Sequence, residues 1–403
     1  MLDFHSASAR IADSVRAVDE CIEIMYGEES PPSGALWIVN AVIGHKLDKL
    51  ASAIRARVPD AAVVGSSCGG IVGREGAGES MTHVAIMTVE GPKDALAWSA
   101  VEGYHAENAR EKGLELAKDL RSKLPNTRIV YLLSPGLDSR NDALLASFHE
   151  VFGTDIVIFG GASSDNYKGI VTSQYIDDKA CADGIWAVGF ADDTLKAAAR
   201  ATHGFNAYGD PMTVTKANGN IIVELDGQPA WLTYSRRFGE ISTEDVKMAL
   251  VSGGLAIELE PALAADYGNK HILRMGLPQE DTGTIRLSVS VKEGDRFYFT
   301  TRDEDLIFSE QKKALETLQK DIAAHSPGGA HPVAVFQTDC LLRGRTLFDK
   351  VMKDEITAMM QNAFPYEGET PPWLGMYGFG EFCPLGGKNL FHTYTTSLLV
   401  LYR

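Results

Sequence analysis

Short apolar runs that end at glycine or other small residues recur along the chain, and most of them alternate with stretches of helical spacing. Residues 35–42 (ALWIVNAV) read as a strand. Residues 46–58 read as a helix with Leu47, Leu50, Ile54 and Val58 on one face, and residues 61–64 as a strand broken at Gly65. The same alternation predicts strands at 83–89, 128–133 and 155–159, the last ending at Gly160-Gly161. It predicts helices at 106–124, stopped by Pro125, and at 142–152. Residues 184–190 and 195–201 follow as strands expected to pair with each other. Residues 214–225 form a hairpin around Asn218-Gly219, a tight-turn signal between β-rich arms. Further on, 284–291 and 297–300 read as paired strands, 305–324 as the clearest long helix, 332–336 as an apolar strand, 347–363 as a helix, and 375–381 and 396–402 as closing strands. The first residues, polar and helical in spacing, carry no apolar core of the signal-peptide kind.

The pattern is that of a mixed α/β (α+β) protein. A length of 403 residues suggests two or three domains at roughly 150 residues each, and one boundary is visible near Gly227-Gln228. Each half holds a helix, an apolar strand and a small-residue turn, which suggests a hidden two-fold repeat without obvious shared sequence. The composition, 45% hydrophobic and 23% charged, is that of a globular chain. Lys and Arg number 38 against 54 Asp and Glu, a net charge of −16. So acidic a surface repels nucleic-acid phosphates and anionic membrane surfaces, so neither is an expected partner. No run approaches the roughly 18 apolar residues of a membrane helix. Five scattered cysteines without C-x-x-C spacing suit reduced thiols and a cytoplasmic location, and make a structural zinc unexpected.

Several segments carry candidate chemistry. Gly65-Ser66-Ser67-Cys68-Gly69 has the G-x-S-x-G spacing of a nucleophile elbow, with Ser67 at the nucleophile position, but the glycine-rich sequence after it is a poor helix start. The plainer reading is a strand end opening into a loop that offers backbone N–H groups to an anion. Gly160 to Asn166 is a second turn of small and hydroxyl residues, including Ser164 and Asp165. It serves either a shared pocket or turn geometry alone. Cys340, beside Arg343 and Arg345, is either a thiol activated by cationic neighbours or a small buried apolar residue. Cys340 and Ser67 are thus the catalytic candidates for a hydrolase or lyase. His203 and His392 sit among apolar residues, where a histidine is either a hydrogen-bonded core residue or an axial haem ligand. Neither H-E-x-x-H nor a nucleotide-binding glycine motif is present.

Five segments together resemble one known family, the FIST proteins. They are Val63 to Ile71 with its glycine/serine turn, Phe159 to Asp165, the junction Val214-Thr215-Lys216-Ala217 through Glu224 to Ala230, Cys340 to Arg345, and Gly378 to Glu381. The resemblance spans about residues 35 to 400, with the junction its most specific part. It implies a helical lead-in at 1–34, an N-terminal domain at 35–227 and a C-terminal domain at 228–403. These would be mixed-sheet domains packed around an interdomain cleft. It further implies an intracellular signal-transduction sensor that binds a small-molecule ligand, an amino acid or other small anion, in that cleft. Ser67, Ser164 and Asp165 would face Cys340, Arg343 and Glu381, with Arg343 pairing the anion. Output would pass to a histidine kinase or other signalling protein. The alternative within the family is a nitric-oxide sensor that binds haem b, with His203 as axial ligand.

Overall fold

Three of the four sheets in the computed structural model, which describes residues 1–239, 245–279, 281–326 and 329–403, share one plan. In the first, Leu36–Val42 runs parallel to Ala62–Cys68, with helix Leu47–Arg57 between them in the chain. His83–Glu90 and then Asp3–Arg10 add antiparallel on the Leu36–Val42 side. In the second, Ile129–Ser134 and Val157–Ala162 are the parallel pair around helix Asn141–Phe152, and Ile185–Phe190 and Leu96–Val101 are the added strands. In the third, Pro332–Cys340 and Trp373–Gly378 flank helix Lys350–Asn362, and Thr396–Tyr402 and Lys196–Thr202 are the added strands. A second helix belongs to each unit: Ser14–Tyr26, Ala109–Lys123 and Glu304–His325. The repeat is therefore three-fold, not the two-fold one suggested by the sequence. The units share an arrangement of elements, and that leaves no trace in residue identity.

The remaining edge of each sheet is closed by a hairpin from another unit. The chain leaving Ala62–Cys68 forms Ile71–Gly73 and Gly76–Gly78, which pair with Trp373–Gly378. The chain leaving Trp373–Gly378 forms Gly380–Leu385 and Lys388–His392, which pair with Val157–Ala162. The chain leaving Val157–Ala162 forms Gln174–Ile176 and Lys179–Cys181, which pair with Ala62–Cys68. The exchange closes a ring of three, and residues on both sides of position 227 share three of the four sheets.

Burial on both faces explains why these strands read as continuous apolar runs. Leu36 and Ile38 point into a core shared by all three units, where Tyr131, Phe159, Trp186, Phe336 and Leu399 meet them. Trp37 and Val39 point the other way, under the first unit's two helices. Tyr131 packs on Phe336 at 4.7 Å and on Trp186 at 5.6 Å between ring centroids, tying the second unit to the third.

The fourth sheet is an insertion in the third unit, between Lys196–Thr202 and Glu304–His325. Its strands follow the order His271–Arg274, Gly253–Glu258, Arg296–Arg302, Phe205–Asn218, Ile221–Leu225, Thr284–Arg286, Leu277–Gln279, with Gln228–Pro229 beside Ile221–Leu225. The Asn218-Gly219 turn forms as expected, with Gly219 at φ 62°.

Four local expectations change. Asp3–Arg10 is a strand rather than part of a helical lead-in, because its small side chains alternate inward against His83–Glu90. The strand at 62–68 continues through Gly65, where a Cβ would lie 2.1 Å from Val39 O. Likewise Val157–Ala162 continues through Gly160, where a Cβ would lie 1.9 Å from Leu132 O. Both glycines serve close packing of neighbouring strands, not strand termination. Finally, Ile185–Phe190 does not pair with Lys196–Thr202, nor Thr284–Arg286 with Arg296–Arg302; each finds a partner distant in sequence.

Candidate functional site

The small-residue turns singled out in the sequence meet where the parallel strands of the three units end. Ser67 Oγ donates to Ser164 O at 2.8 Å and accepts from Ser173 N at 2.9 Å. Ser164 Oγ donates to Tyr377 O at 2.6 Å and accepts from Gly69 N at 2.9 Å. One serine thus joins all three units. Leu341, next to Cys340, packs so tightly on this junction that a Cβ on Gly69 would lie 2.0 Å from its Cδ1. Asp165 accepts backbone N–H groups from Lys168, Gly169, Ile170 and Val171, which folds residues 166–171 around its carboxylate. Ser67, Ser164 and Asp165 are buried with their polar atoms committed to the protein's own backbone. The geometry fits the turn reading of these residues, and Ser67 Oγ has a carbonyl, not a base, as its acceptor.

The second group of candidates forms a buried polar cluster beside the junction. Burial pushes the Cys340 thiol up to about 12, with Glu381 adding to the shift, so the thiol stays protonated at neutral pH. Glu381 Oε2 accepts from Thr395 N at 3.2 Å and Thr395 Oγ1 at 2.6 Å, and burial raises its carboxyl well above the usual range. Asp339 is raised to about 6, again chiefly by burial. Arg343, 2% exposed, donates from Nη1 to His203 O at 3.0 Å, while its Nε and Nη2 have no hydrogen-bond partner among the described residues. His203 Nε2 lies 2.9 Å from His271 O and its Nδ1 accepts from Phe205 N at 3.0 Å. Both ring nitrogens are committed, and burial holds the imidazole neutral by lowering its pKa. A ring so placed does not fit an axial haem ligand, which needs one free nitrogen facing a pocket. His392 Nε2 is similarly engaged with Cys383 O at 3.0 Å.

Open space lies one layer away. A cavity of about 520 Å³ is bounded on the core side by Gly136 and Leu137, Tyr167 to Gly169, Leu341 and Leu342, Thr346 and Phe379. All of these follow the carboxyl ends of parallel strands. The inserted sheet and its helix supply the opposite wall through Leu250, Val251, Met275, Leu277 and Pro278, with Gln279 and Ser288. None of Ser67, Ser164, Asp165, Cys340, Arg343, Glu381 or His203 lines it. The lining lies one or two residues from the expected site residues: Tyr167 is two past Asp165, Leu341 and Leu342 separate Cys340 from Arg343, and Phe379 precedes Glu381 by two. The available signal was two consecutive leucines just past a strand end.

Tyr167 is held in a left-handed conformation, φ 62°, by a partly buried network that ties the three units together. Its hydroxyl donates to Glu79 Oε2 at 2.8 Å, Lys353 Nζ lies 2.8 Å from Glu79 Oε1, and Arg345 stacks over the Tyr167 ring at 4.7 Å. Among the described residues no cluster of His, Cys, Asp or Glu could hold a metal ion, and no helix is long and apolar enough to cross a membrane.

Residues 35–228 match the family model of the FIST N domain and residues 230–384 that of the FIST C domain. The chain belongs to the FIST family. FIST domains are associated with sensing in signal transduction. The boundary between the FIST N and FIST C segments falls at Pro229, just past the Asp226-Gly227 turn and inside the inserted sheet, so the cavity is walled by residues of both segments. An uncharacterized protein of Mycobacterium tuberculosis is 26% identical over 354 residues, covering 87% of this chain and 86% of its own. An uncharacterized protein of Mycobacterium bovis is 30% identical over 251 residues, covering 61% and 60%. Among solved structures, a cyanuric acid hydrolase from A. caulinodans aligns over 100% of this chain and 99% of its own, at TM-score 0.37 and 9% identity. That fit is too loose to bear on the chemistry.

Proposed function

We propose that this FIST protein is a small-ligand sensor whose ligand occupies the cavity between the inserted sheet and the three-unit core. The observation that carries the reading is the cavity itself: about 520 Å³, largely apolar, and placed outside the carboxyl ends of parallel strands, where α/β folds commonly bind ligands. One wall is core and the other is insertion, so a bound molecule would fix their relative position, and a partner protein would read that position as the signal. A histidine kinase is one such partner class. The buried Cys340 thiol and the backbone-bonded Ser67 hydroxyl support binding here over covalent chemistry.

The test uses the neutral apolar fluorophore N-phenylnaphthylamine. The wild-type protein should bind it at one site, and Leu277→Trp, which narrows the cavity from the partly exposed insertion wall, should weaken the signal several-fold with an unchanged circular dichroism spectrum. No binding by the wild type, or equal binding by the variant, would overturn the reading.

A further inference from the structure

The charge around the cavity runs against the charge of the chain. The protein carries 54 acidic and 38 basic residues, yet no Asp or Glu is among the residues described as lining the cavity, and one lysine, Lys168, is. Two more cations stand directly behind the wall. Arg345 stacks on the outer face of Tyr167. Arg302 donates from Nη1 to the carbonyl of Leu342 at 2.9 Å and lies over the Phe205 and Tyr394 rings at 4.8 and 5.8 Å. The wall residues Met275 and Leu342 pack on that same aromatic cluster. The Nε and Nη2 atoms of Arg302 are buried without a hydrogen-bond partner among the described residues. A buried guanidinium with two unused donors is unfavourable unless an anion completes it.

Two carboxylates that touch the wall residues are already occupied. Glu79, which meets the Tyr167 hydroxyl, is paired with Lys353 at 2.8 Å. Asp165 is enclosed by four backbone N–H groups of the loop that carries Lys168. Lys168 is thus the one charged side chain among the described lining residues, while leucine, valine, methionine and phenylalanine side chains supply most of the contact surface.

We infer that the ligand is an amphiphilic anion, an apolar body carrying one carboxylate, sulfonate or phosphate group. Lys168 attracts that group at the rim, and Arg302 pairs with it once the flexible Met275 side chain gives way. This rests on the cavity being the ligand site, and it narrows the ligand class: a free amino acid with a polar side chain leaves the apolar walls uncovered.

The experiment compares N-phenylnaphthylamine with anilinonaphthalene sulfonate, which has the same aromatic body plus one negative charge. The wild type should bind the sulfonate more tightly, with an affinity that falls as salt rises. Lys168→Glu should weaken the sulfonate about tenfold and leave the neutral probe within about twofold. Arg302→Met, which keeps the stacking length without the charge, should act in the same direction, and Leu277→Trp should weaken both signals alike. Because Lys168 is exposed, its variant tests the charge even if Arg302→Met fails to fold. Equal binding of the two probes, with Lys168→Glu changing neither, would overturn the anionic assignment and leave the cavity as a ligand site. Binding of neither probe by the wild type would overturn both.

Discussion

The strand-end junction and the cavity beside it lie within a few residues of each other in sequence, yet they are built in opposite ways. At the junction, Ser67, Ser164, Gly69 and Tyr377 saturate one another's hydrogen bonds and leave no space. In the cavity, Leu137, Leu277, Leu341 and Phe379 surround open volume with few polar groups. Small and hydroxyl residues here permit three chain segments to touch, whereas bulky apolar residues on the loops just beyond hold the segments apart. Polarity in a sequence motif therefore marks the seam of this protein, and the binding space lies next to it.

Substitution at the seam should have the largest effect. Gly65→Ala puts a methyl group 2.1 Å from Val39 O, a backbone atom that cannot rotate away. We expect a loss of about 4 kcal/mol or of soluble protein altogether, read by urea denaturation. A variant as stable as wild type would show that the strands are less tightly apposed than described.

Asp165→Ala should cost about 3 kcal/mol, because four backbone N–H groups lose their acceptor. It also sharpens the comparison. The loop so released carries Tyr167, Lys168 and Gly169 into the cavity wall. Fluorophore affinity should fall together with stability, and unchanged affinity would separate the two regions.

Asp339→Asn should have the smallest effect, and it depends on pH. Folded Asp339 keeps its proton up to about 6, against an ordinary value of 3.8. Between those values the folded form binds more protons than the unfolded one, so this residue lowers stability as pH rises from about 4 to about 6. Removing the ionisable group should stabilise the protein by about 2 kcal/mol at pH 8 and by almost nothing at pH 4, with probe binding unaltered. Thermal denaturation at the two pH values checks this, and equal shifts at both would show that the carboxyl is not strained by burial.

Most elements were legible in the sequence because their signals are local. Residues 396–402 form the expected strand, helix Glu304–His325 follows its apolar spacing, and Asn218-Gly219 turns its hairpin. Pairing partners were not legible. An alternating or continuous apolar strand specifies which faces are buried, and nothing in Gly380–Leu385 points to Val157–Ala162 as its neighbour. The same holds for the candidate site. Ser164 could be read as a turn residue, but its hydroxyl is consumed by Tyr377 O and Gly69 N, which only the fold brings together. Arg302 carries no signal in the sequence because its neighbours there are ordinary, and its two unused donors become visible only once Phe205, Leu342 and Tyr394 surround it.

The ring of exchanged hairpins has a consequence for biosynthesis. Val157–Ala162 gains its outer neighbour from residues 380–392, and Lys196–Thr202 gains its partner from residues 396–402. While the chain emerges from the ribosome, both strands must wait with a bare hydrogen-bonding edge until about two hundred further residues have been made. No unit can mature alone, so the nascent protein is most exposed to chaperones, proteases and self-association until residues 380–402 arrive.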